Sequence, residues 1–449
     1  MTATLREAPV AAAKGGGMRI VRMELENFKR FTHLTLEGIP PEARLVLLIG
    51  ANGSGKSCIF DAFNYASETH KGDRSPQLGT YYPKSRGLPG TVDIQLADGS
   101  RFGREPGPYG TDHASRFFGR SSLRIVPRLG SSRLNEDAIA RDADAPQLYI
   151  EQDSRFLLDA LTFTRQIDRA LRAPLFEGAT LDTADIRGRF IDPLNDSLAR
   201  IFQTGESTSI ALSQFESMTL NAPPRLVFRK GGSTIDYDLL SHGEKQVLIV
   251  LLNFVVRKHL YQDAVIYIDE LDAHLNTALQ FNVLREVVEN WLPPAAQLWT
   301  ASHSLGFIDY ARRSPEAAIL DFDDCDFDQP VILTPAPRES RQVFEIAVPP
   351  EMLPRLFQGR EVILCENRDA DVYGSLGLEG YVFLGKRDKG QAFATALGAS
   401  LRGLLDRDYL TDGEVHEFET RFPGIRFLRL YSLENYLYHP DNLQEVRGG

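Results

Sequence analysis

The sequence has no apolar stretch long enough to cross a bilayer as a helix. Its longest apolar run, Val247 to Val256, is interrupted by Asn253 and falls well short of the roughly 18–20 residues a membrane span requires. A helical membrane protein is therefore not expected. Residues 1–17 lack an apolar segment leading to a cleavage site, so no secretion signal is expected either. They read as a flexible tail, with the fold beginning at Met18. Cysteine is scarce: Cys58, Cys325 and Cys365 are scattered, with neither metal-ligand spacing nor the even count of a disulfide framework. A reducing cytoplasm is the simple expectation. An excess of basic charge is also missing. The formal net charge of −11 argues against indiscriminate coating of nucleic acid and leaves room for a local basic groove. There is no internal repeat, no long low-complexity tract and no sustained heptad pattern, which excludes a long coiled-coil arm.

What is present is ordinary globular composition, 43% hydrophobic and 25% charged over 449 residues, enough for two or three domains. Arg19 to Phe28 and His33 to Glu37 alternate as strands do. Arg44 to Ile49 is an apolar run closed by glycine, the pattern of a buried strand. A helix is expected from Lys56 to about His70, and a hairpin over Val92 to Arg101 turned at Asp98-Gly99. Residues 103–222, rich in Arg, Asp and Ser, read as an inserted, mainly helical lobe. Hairpin Arg225 to Leu240, helix Gly243 to Leu260, strand Ala264 to Ile268 and helix Thr277 to Trp291 follow. Gln297 to Ala301 and Ala318 to Phe322 are further strands. An acidic, proline-containing stretch, Asp323 to Arg338, marks a boundary, so the first domain is expected to span 18–338. From 339 to 449 strands and helices alternate again, which predicts a small parallel α/β unit. The fold class expected throughout is α/β.

Gly50-Ala51-Asn52-Gly53-Ser54-Gly55-Lys56-Ser57 fits the phosphate-loop pattern G-x-x-x-x-G-K-[ST] between an expected strand and an expected helix. Glycines let the backbone curl so that its N–H groups face phosphate oxygens, and the helix N-terminus favours the negative charge. Lys56 is expected to reach the β and γ phosphates of ATP, with Asn52, Gly53, Ser54 and Gly55 around it and Ser57 as a Mg²⁺ ligand. Val265 to Ile268 is an apolar strand ending in Asp269 and Glu270. In this Walker B pattern Asp269 holds the magnesium shell and Glu270 orients the attacking water. Phosphoryl transfer demands positioning and charge neutralisation more than covalent help.

Leu240-Ser241-His242-Gly243-Glu244-Lys245-Gln246 resembles the signature motif of ABC ATPases, especially the SMC and RecF-like branch. A serine N-cap with Glu244 three residues on explains the helix start equally well. The order of motifs distinguishes the ABC pattern: phosphate loop, signature, then Walker B, with 25 residues between Gly243 and Asp269. The resemblance covers about Met18 to Arg338. The opening, Arg19 to Phe31, looks like the start of RecF- and OLD-like ATPases. The family's D-loop falls on Asp272 to Asn276, with Leu271 in place of the usual proline. Its switch histidine falls on His303, and its Q-loop glutamine on either Gln77 or Gln152. The resemblance implies that ATP lies between the phosphate loop of one head and Ser241, Gly243 and Glu244 of another. Each chain has one of each, so a homodimer or larger homo-oligomer through the heads is expected.

A second constellation lies in 339–449. Glu366 ends an apolar strand, Asp406-Arg407-Asp408 ends a later one, and Glu434 sits in Leu433-Glu434-Asn435-Tyr436-Leu437. This resembles the Toprim-like domains of OLD-family and PARIS-type anti-phage proteins. The resemblance implies that Glu366, Asp406, Asp408 and Glu434 gather Mg²⁺ or Mn²⁺ for phosphodiester cleavage. Carboxylates that crowd one another repel unless a cation lies between them, and hard oxygen ligands suit these ions. Asn367 replaces the usual glycine, and the chain stops soon after Glu434 at Gly449, which raises the question of a further C-terminal piece. Asp369 and Asp371 read as helix caps or auxiliary ligands. Lys386, Arg387 and Lys389 read as a phosphate-steering cluster or a solvated turn. Arg116, Arg120, Arg124 and Arg128 recur every four residues, which on a helix would form a basic stripe. Gly119 and Pro127 oppose that helix and favour ion pairing. The expectation is an anti-phage ATPase whose head pairing controls a nuclease acting on DNA or RNA, tRNA included, in answer to a phage trigger or effector partner. The rivals are a non-nucleolytic sensor or scaffold, and a RecF-like repair ATPase.

Overall fold

Five consecutive strand residues, Leu45 to Ile49, have no solvent exposure at all, as expected of a strand covered on both faces of a parallel sheet. They belong to a computed structural model that describes residues 18–70, 81–102, 116–121, 149–150, 155–178, 180–202, 209–216, 225–323, 325–338, 342–344, 347–348, 352–357, 359–366, 369–386 and 388–438. The tail 1–17, Gln77, Gln152, Arg124, Arg128, Asn367 and Arg387 lie outside the described residues. The chain divides into two compact units, Met1–Pro335 and Ala336–Gly449.

The first unit begins with β1 (Ile20–Phe28), β2 (Phe31–Leu36), β3 (Leu45–Ile49), α1 (Ser57–His70), β4 (Thr91–Leu96), β5 (Arg101–Phe102), β6 (Phe117–Arg120) and β7 (Tyr149–Ile150). Helices α2 (Arg155–Glu177) and α3 (Asp192–Phe202) come next. The unit continues with β8 (Ile210–Glu216), β9 (Arg225–Lys230), β10 (Ser233–Asp236), α4 (His242–Arg257), β11 (Val265–Asp269) and α5 (Thr277–Glu286). It ends with β12 (Gln297–Ala301), α6 (Leu305–Arg313), β13 (Ala317–Asp321) and β14 (Pro330–Leu333). A six-stranded sheet runs β13-β3-β12-β11-β6-β7, every neighbouring pair parallel. A second sheet, β14-β2-β1-β4-β5, is antiparallel except for the β14–β2 pair. A third, β10-β9-β8, is antiparallel. Helix α1 locks onto the parallel sheet through Phe63, whose ring meets Trp299 edge-on at 5.3 Å and Tyr267 at 5.8 Å. That packing fixes the direction in which the N-terminus of α1 points.

One expectation is corrected here. Residues 103–222 are not simply an inserted helical lobe: β6 and β7 are strands of the central sheet, and β8 pairs with β9. A four-residue strand with Phe117, Phe118, Gly119 and Arg120 all buried shows no alternation to read. The helical basic stripe, which Gly119 and Pro127 already oppose, is not formed at its first two members. Arg120 lies in β6 with 7% exposure, and Arg116 pairs with Asp263 at 2.6 Å, so the local period is that of a strand. No helix among the described residues is long and apolar enough to cross a membrane.

Helix α4 is buried on nearly every side. A helix inside a core must pair any charge it carries. Arg257, 3% exposed at its side chain, faces Asp159 of α2, 1% exposed, at 3.4 Å, while Asn253 donates to the same carboxylate at 2.9 Å. Asp159→Ala removes this carboxylate from beside the buried Arg257 charge and is expected to destabilise the unit by about 3–5 kcal/mol. Urea unfolding of the full chain measures this; a loss under about 1 kcal/mol would mean the guanidinium finds another partner.

The second unit runs β15 (Glu361–Glu366), α7 (Asp369–Ser375), β16 (Tyr381–Lys386), α8 (Lys389–Gly398), β17 (Arg402–Leu405), α9 (Asp412–Arg421), β18 (Ile425–Phe427) and α10 (Leu433–Leu437). Its sheet, β16-β15-β17-β18, is entirely parallel.

Candidate functional sites

Parallel strands end at the same edge of their sheet, and open α/β sheets bind ligands at that carboxyl edge. Strands β3, β12 and β11 are adjacent. The phosphate loop, His303 and the Asp269-Glu270 pair follow them directly. The register sets Asp269 opposite Ala301 and Ala301 opposite Leu48, and the Glu270 amide donates to the Ala301 carbonyl at 3.2 Å. A cleft of about 250 Å³ results, lined among others by Asn52, Gly53, Gly55, Lys56, Ser57, Asp269, Glu270 and His303. These residues, separated by up to 251 positions in the chain (303 − 52), share one site.

The loop is built as a phosphate cradle. Gly53 and Gly55 take φ of +86° and +96°, which L side chains rarely adopt. At Gly55 an added Cβ would sit 2.6 Å from the Phe31 ring, so packing excludes a side chain as well. Lys56 Nζ folds over the loop, donating to Gly50 O at 2.7 Å and Ala51 O at 2.9 Å. Burial pushes its pKa down, while Asp269, Asp323 and Glu270 oppose that shift. The Ser57 hydroxyl and the Asp269 carboxylate in this cleft are hard oxygen donors of the kind Mg²⁺ takes. Glu270 has φ +46° and His274 φ +63°, left-handed conformations costing about 1–3 kcal/mol each away from glycine and typical of functional turns.

Two residues of this site have no role in the motif reading. Arg30, in the turn between β1 and β2, lines the cleft and donates to Gly53 O. Asp323, just past β13, accepts from the Ala51 amide at 3.0 Å. Arg30 stands in a quoted motif without any pattern to mark it, and Asp323 is 272 residues from its partner, so only the tertiary fold reveals either. The turn 272–276 also connects to the segment that carries His303. Asp272, 8% exposed, accepts from Ser302 Oγ at 2.8 Å; burial raises its pKa, against the Ser302 bond, which lowers it.

The signature residues lie elsewhere. Ser241, Gly243 and Glu244 start α4 and are not among the lining of the phosphate-loop cleft. Ser241 and Glu244 form a complete capping box: Glu244 N donates to Ser241 Oγ at 3.3 Å and Ser241 N to Glu244 Oε2 at 2.8 Å. Glu244 also pairs with Lys230 at 2.6 Å, so its carboxylate is committed to holding the helix start. Gly243 closes against the D-loop turn, where an added Cβ would lie 3.0 Å from His274 O.

In the second unit the carboxyl edge of β15 and β17 carries Glu366 and Asp406. The Asp406 amide donates to Glu366 Oε1 at 3.0 Å. Asp408 takes φ +48°, held by its amide bonding Tyr431 O at 2.8 Å. Burial, then repulsion from Asp406 and Glu434, lifts the Asp369 carboxyl to about 6. Burial followed by Glu434 and Asp408 raises Asp406, and burial raises Glu366. Glu434 is shifted down, chiefly by the Ser432 side chain. This is the electrostatic signature of carboxylates crowded together, and the donor set suits a divalent cation. The ligand atoms have not converged, however. Among the described residues the one His/Cys/Asp/Glu trio within 4.8 Å is Glu24, Glu26 and His33, on β1 and β2, where Arg22 already neutralises Glu24 at 2.8 Å.

Residues 22–101, which include the phosphate loop and Arg30, match the family model of the AAA domain. That segment is similar to AAA-type ATPase sequence, and it is set in an α/β fold with parallel sheets. No curated protein matches the chain. Among solved structures, the SMC head domain from Thermotoga maritima is 16% identical, covering 71% of this chain and 100% of its own at a TM-score of 0.36. An SMC head bound to the C-winged helix domain of ScpA is 16% identical, covering 71% and 98%, TM-score 0.36. The recombination mediator protein RecF–ATPrS is 12% identical, covering 72% and 99%, TM-score 0.36.

Proposed function

We propose that this chain is an ATP-hydrolysing switch of antiviral defence, acting in the cytoplasm, whose heads pair around ATP and control a metal-dependent nuclease in the C-terminal unit. The ATPase half rests on one observation: Lys56, Ser57, Asp269, Glu270 and His303 share a single cleft. Lys56 and the loop amides would bind the phosphates, Ser57 and Asp269 would hold Mg²⁺, Glu270 would orient water, and His303 would act as the contact to the γ phosphate. Bound Mg²⁺ neutralises charge on the phosphate oxygens.

Because Ser241 and Gly243 do not line that cleft, the site is one that a second copy of the chain completes. Ser241→Arg is expected to lower ATPase activity roughly tenfold or more, since the lost contact positions the nucleotide in trans. Nucleotide binding by the single chain is retained. Mixed with Lys56→Ala chains, random pairing puts one intact composite site in half the dimers, restoring about a quarter of wild-type activity. Hydrolysis by a strict monomer, seen by light scattering during turnover, would end this reading.

For the C-terminal unit, Glu366, Asp406, Asp408 and Glu434 are the residues that would hold Mg²⁺ or Mn²⁺. A bound ion there activates water and stabilises the leaving oxygen of a phosphodiester. DNA and RNA, tRNA included, are both candidate substrates, and cleavage assays with each in Mg²⁺ and Mn²⁺ test the reading. The separation of the acids favours a second reading, a non-nucleolytic scaffold in which ATP assembles a complex and this unit docks an effector. Cleavage of neither polymer, with loss of partner capture on altering the unit's surface, supports that alternative.

A further inference from the structure

We propose that Lys389 is the built-in counter-ion of the C-terminal acid site, and that a divalent cation must displace its ammonium group to enter. This rests on the reading of Glu366, Asp406 and Asp408 as metal ligands. Lys389 opens α8, where Asp388 caps the helix by accepting from Gln391 N at 2.8 Å. From that position its side chain reaches the turn that follows β17. Lys389 Nζ pairs with Asp408 Oδ2 at 2.9 Å and donates to the backbone carbonyl of Asp406. The same ammonium lies 5.2 Å from the centre of the Phe427 ring, an aromatic face that favours a cation.

The ion pair is partly exposed, but the ammonium has more than one partner. Its partners lie on both sides of Arg407 in the acidic Asp406-Arg407-Asp408 turn, and burial, which raises both Glu366 and Asp406, is opposed in each by the charge of Lys389. One lysine thus acts on three carboxylates that otherwise repel one another. Arg407, between the two aspartates, is engaged toward α9 instead: it donates to Leu410 O at 2.7 Å and pairs with Asp412 at 2.6 Å. A carboxylate cluster partly neutralised by an ammonium is less repulsive without an ion, and part of the attraction its acids would offer an entering cation is spent on the lysine. Displacement would free Asp408 Oδ2 and the Asp406 carbonyl, both oxygen donors of the type Mg²⁺ and Mn²⁺ accept.

The test is Mn²⁺ binding to the full chain without nucleotide, read by electron paramagnetic resonance of the free ion, with Asp406→Asn/Asp408→Asn as the blank for binding elsewhere. Removing the competing charge in Lys389→Met is expected to tighten the site's Mn²⁺ affinity roughly tenfold. Lys389→Arg, which keeps the charge, is expected to stay within about threefold of wild type. Lys389→Gln gives the same comparison as Met should the apolar side chain disturb α8. Equal or weaker binding by both neutral variants overturns the role of Lys389 and leaves the metal site standing. If no protein binds Mn²⁺ above the blank, the metal site and the counter-ion inference fall together.

Discussion

Glu270→Gln is expected to lower ATP turnover by at least about a hundredfold while leaving nucleotide binding near that of the wild type. A carboxylate that positions and polarises the attacking water typically contributes roughly 10²–10⁴-fold. Glutamine keeps the shape and loses the charge. Glu270 suits the role because its backbone is fixed. It follows β11 at φ +46°, and its amide is tied to Ala301 on the neighbouring strand, so the side chain enters the phosphate-loop cleft from a rigid edge. Its charge also reaches Lys56. Substituting Lys56 itself should give the opposite pattern: Lys56→Ala weakens nucleotide binding roughly tenfold or more, because a charge-assisted contact to phosphate is lost. Phosphate release and binding of a fluorescent nucleotide separate the two. Turnover of Glu270→Gln at the wild-type rate would remove Glu270 from the water-positioning role.

The parts of this site legible in the sequence are those for which parallel-sheet geometry leaves little choice. An apolar strand closed by glycines and Lys56, and another closed by Asp269 and Glu270, must place their motifs at one edge once they share a sheet. Strand Gln297–Ala301 has the bounds its sequence implies, because Pro293 and Pro294 bracket it on one side and the Ser302-His303-Ser304 turn on the other. The residues not legible are those whose roles come from long-range closure. Arg30 reaches Gly53, and Asp323 reaches Ala51, only because β1, β3 and β13 are brought together. The four-residue arginine spacing is opposed in the sequence by Gly119 and Pro127, but only the burial of Phe117 and Phe118 beside β11 reveals a strand: tertiary packing decides so short an element. At Ser241 the two readings coexist. The capping box is fully formed, and nothing in a cap prevents the same turn from facing a second copy's nucleotide. In the second unit the acids can be read from strand ends. Their internal partner cannot, since Lys389 belongs to another element and reaches them through the fold.

Asp406→Asn/Asp408→Asn is expected to abolish nucleic-acid cleavage, by about a thousandfold or more, and to leave ATP turnover unchanged. The magnitude follows from removing two of the oxygen ligands that would hold the catalytic ion, whose charge stabilisation has no substitute in amide side chains. The selectivity follows from the fold. Both aspartates lie in the unit 336–449, and none of the residues lining the phosphate-loop cleft does. The substitutions are also mild for stability. Asp406 is raised by burial and by its neighbours Glu434 and Asp408, so neutralising it relieves repulsion, and its amide bond to Glu366 is made by the backbone and survives. The loss on the other side is the ion pair of Asp408 with Lys389, whose two side chains are 43% and 30% exposed, worth at most about 1 kcal/mol at such a site. A defect in cleavage would therefore report chemistry rather than unfolding, and a thermal melt within a few degrees of wild type is the control. The assay pairs labelled duplex DNA and tRNA with Mg²⁺ or Mn²⁺, with and without ATP, and in lysate of phage-infected cells to supply a trigger. Wild-type cleavage that persists in the double variant would move the nuclease away from these acids. Cleavage by neither protein, with cellular protection intact in both, would leave the second unit as the docking module of an ATP-driven scaffold.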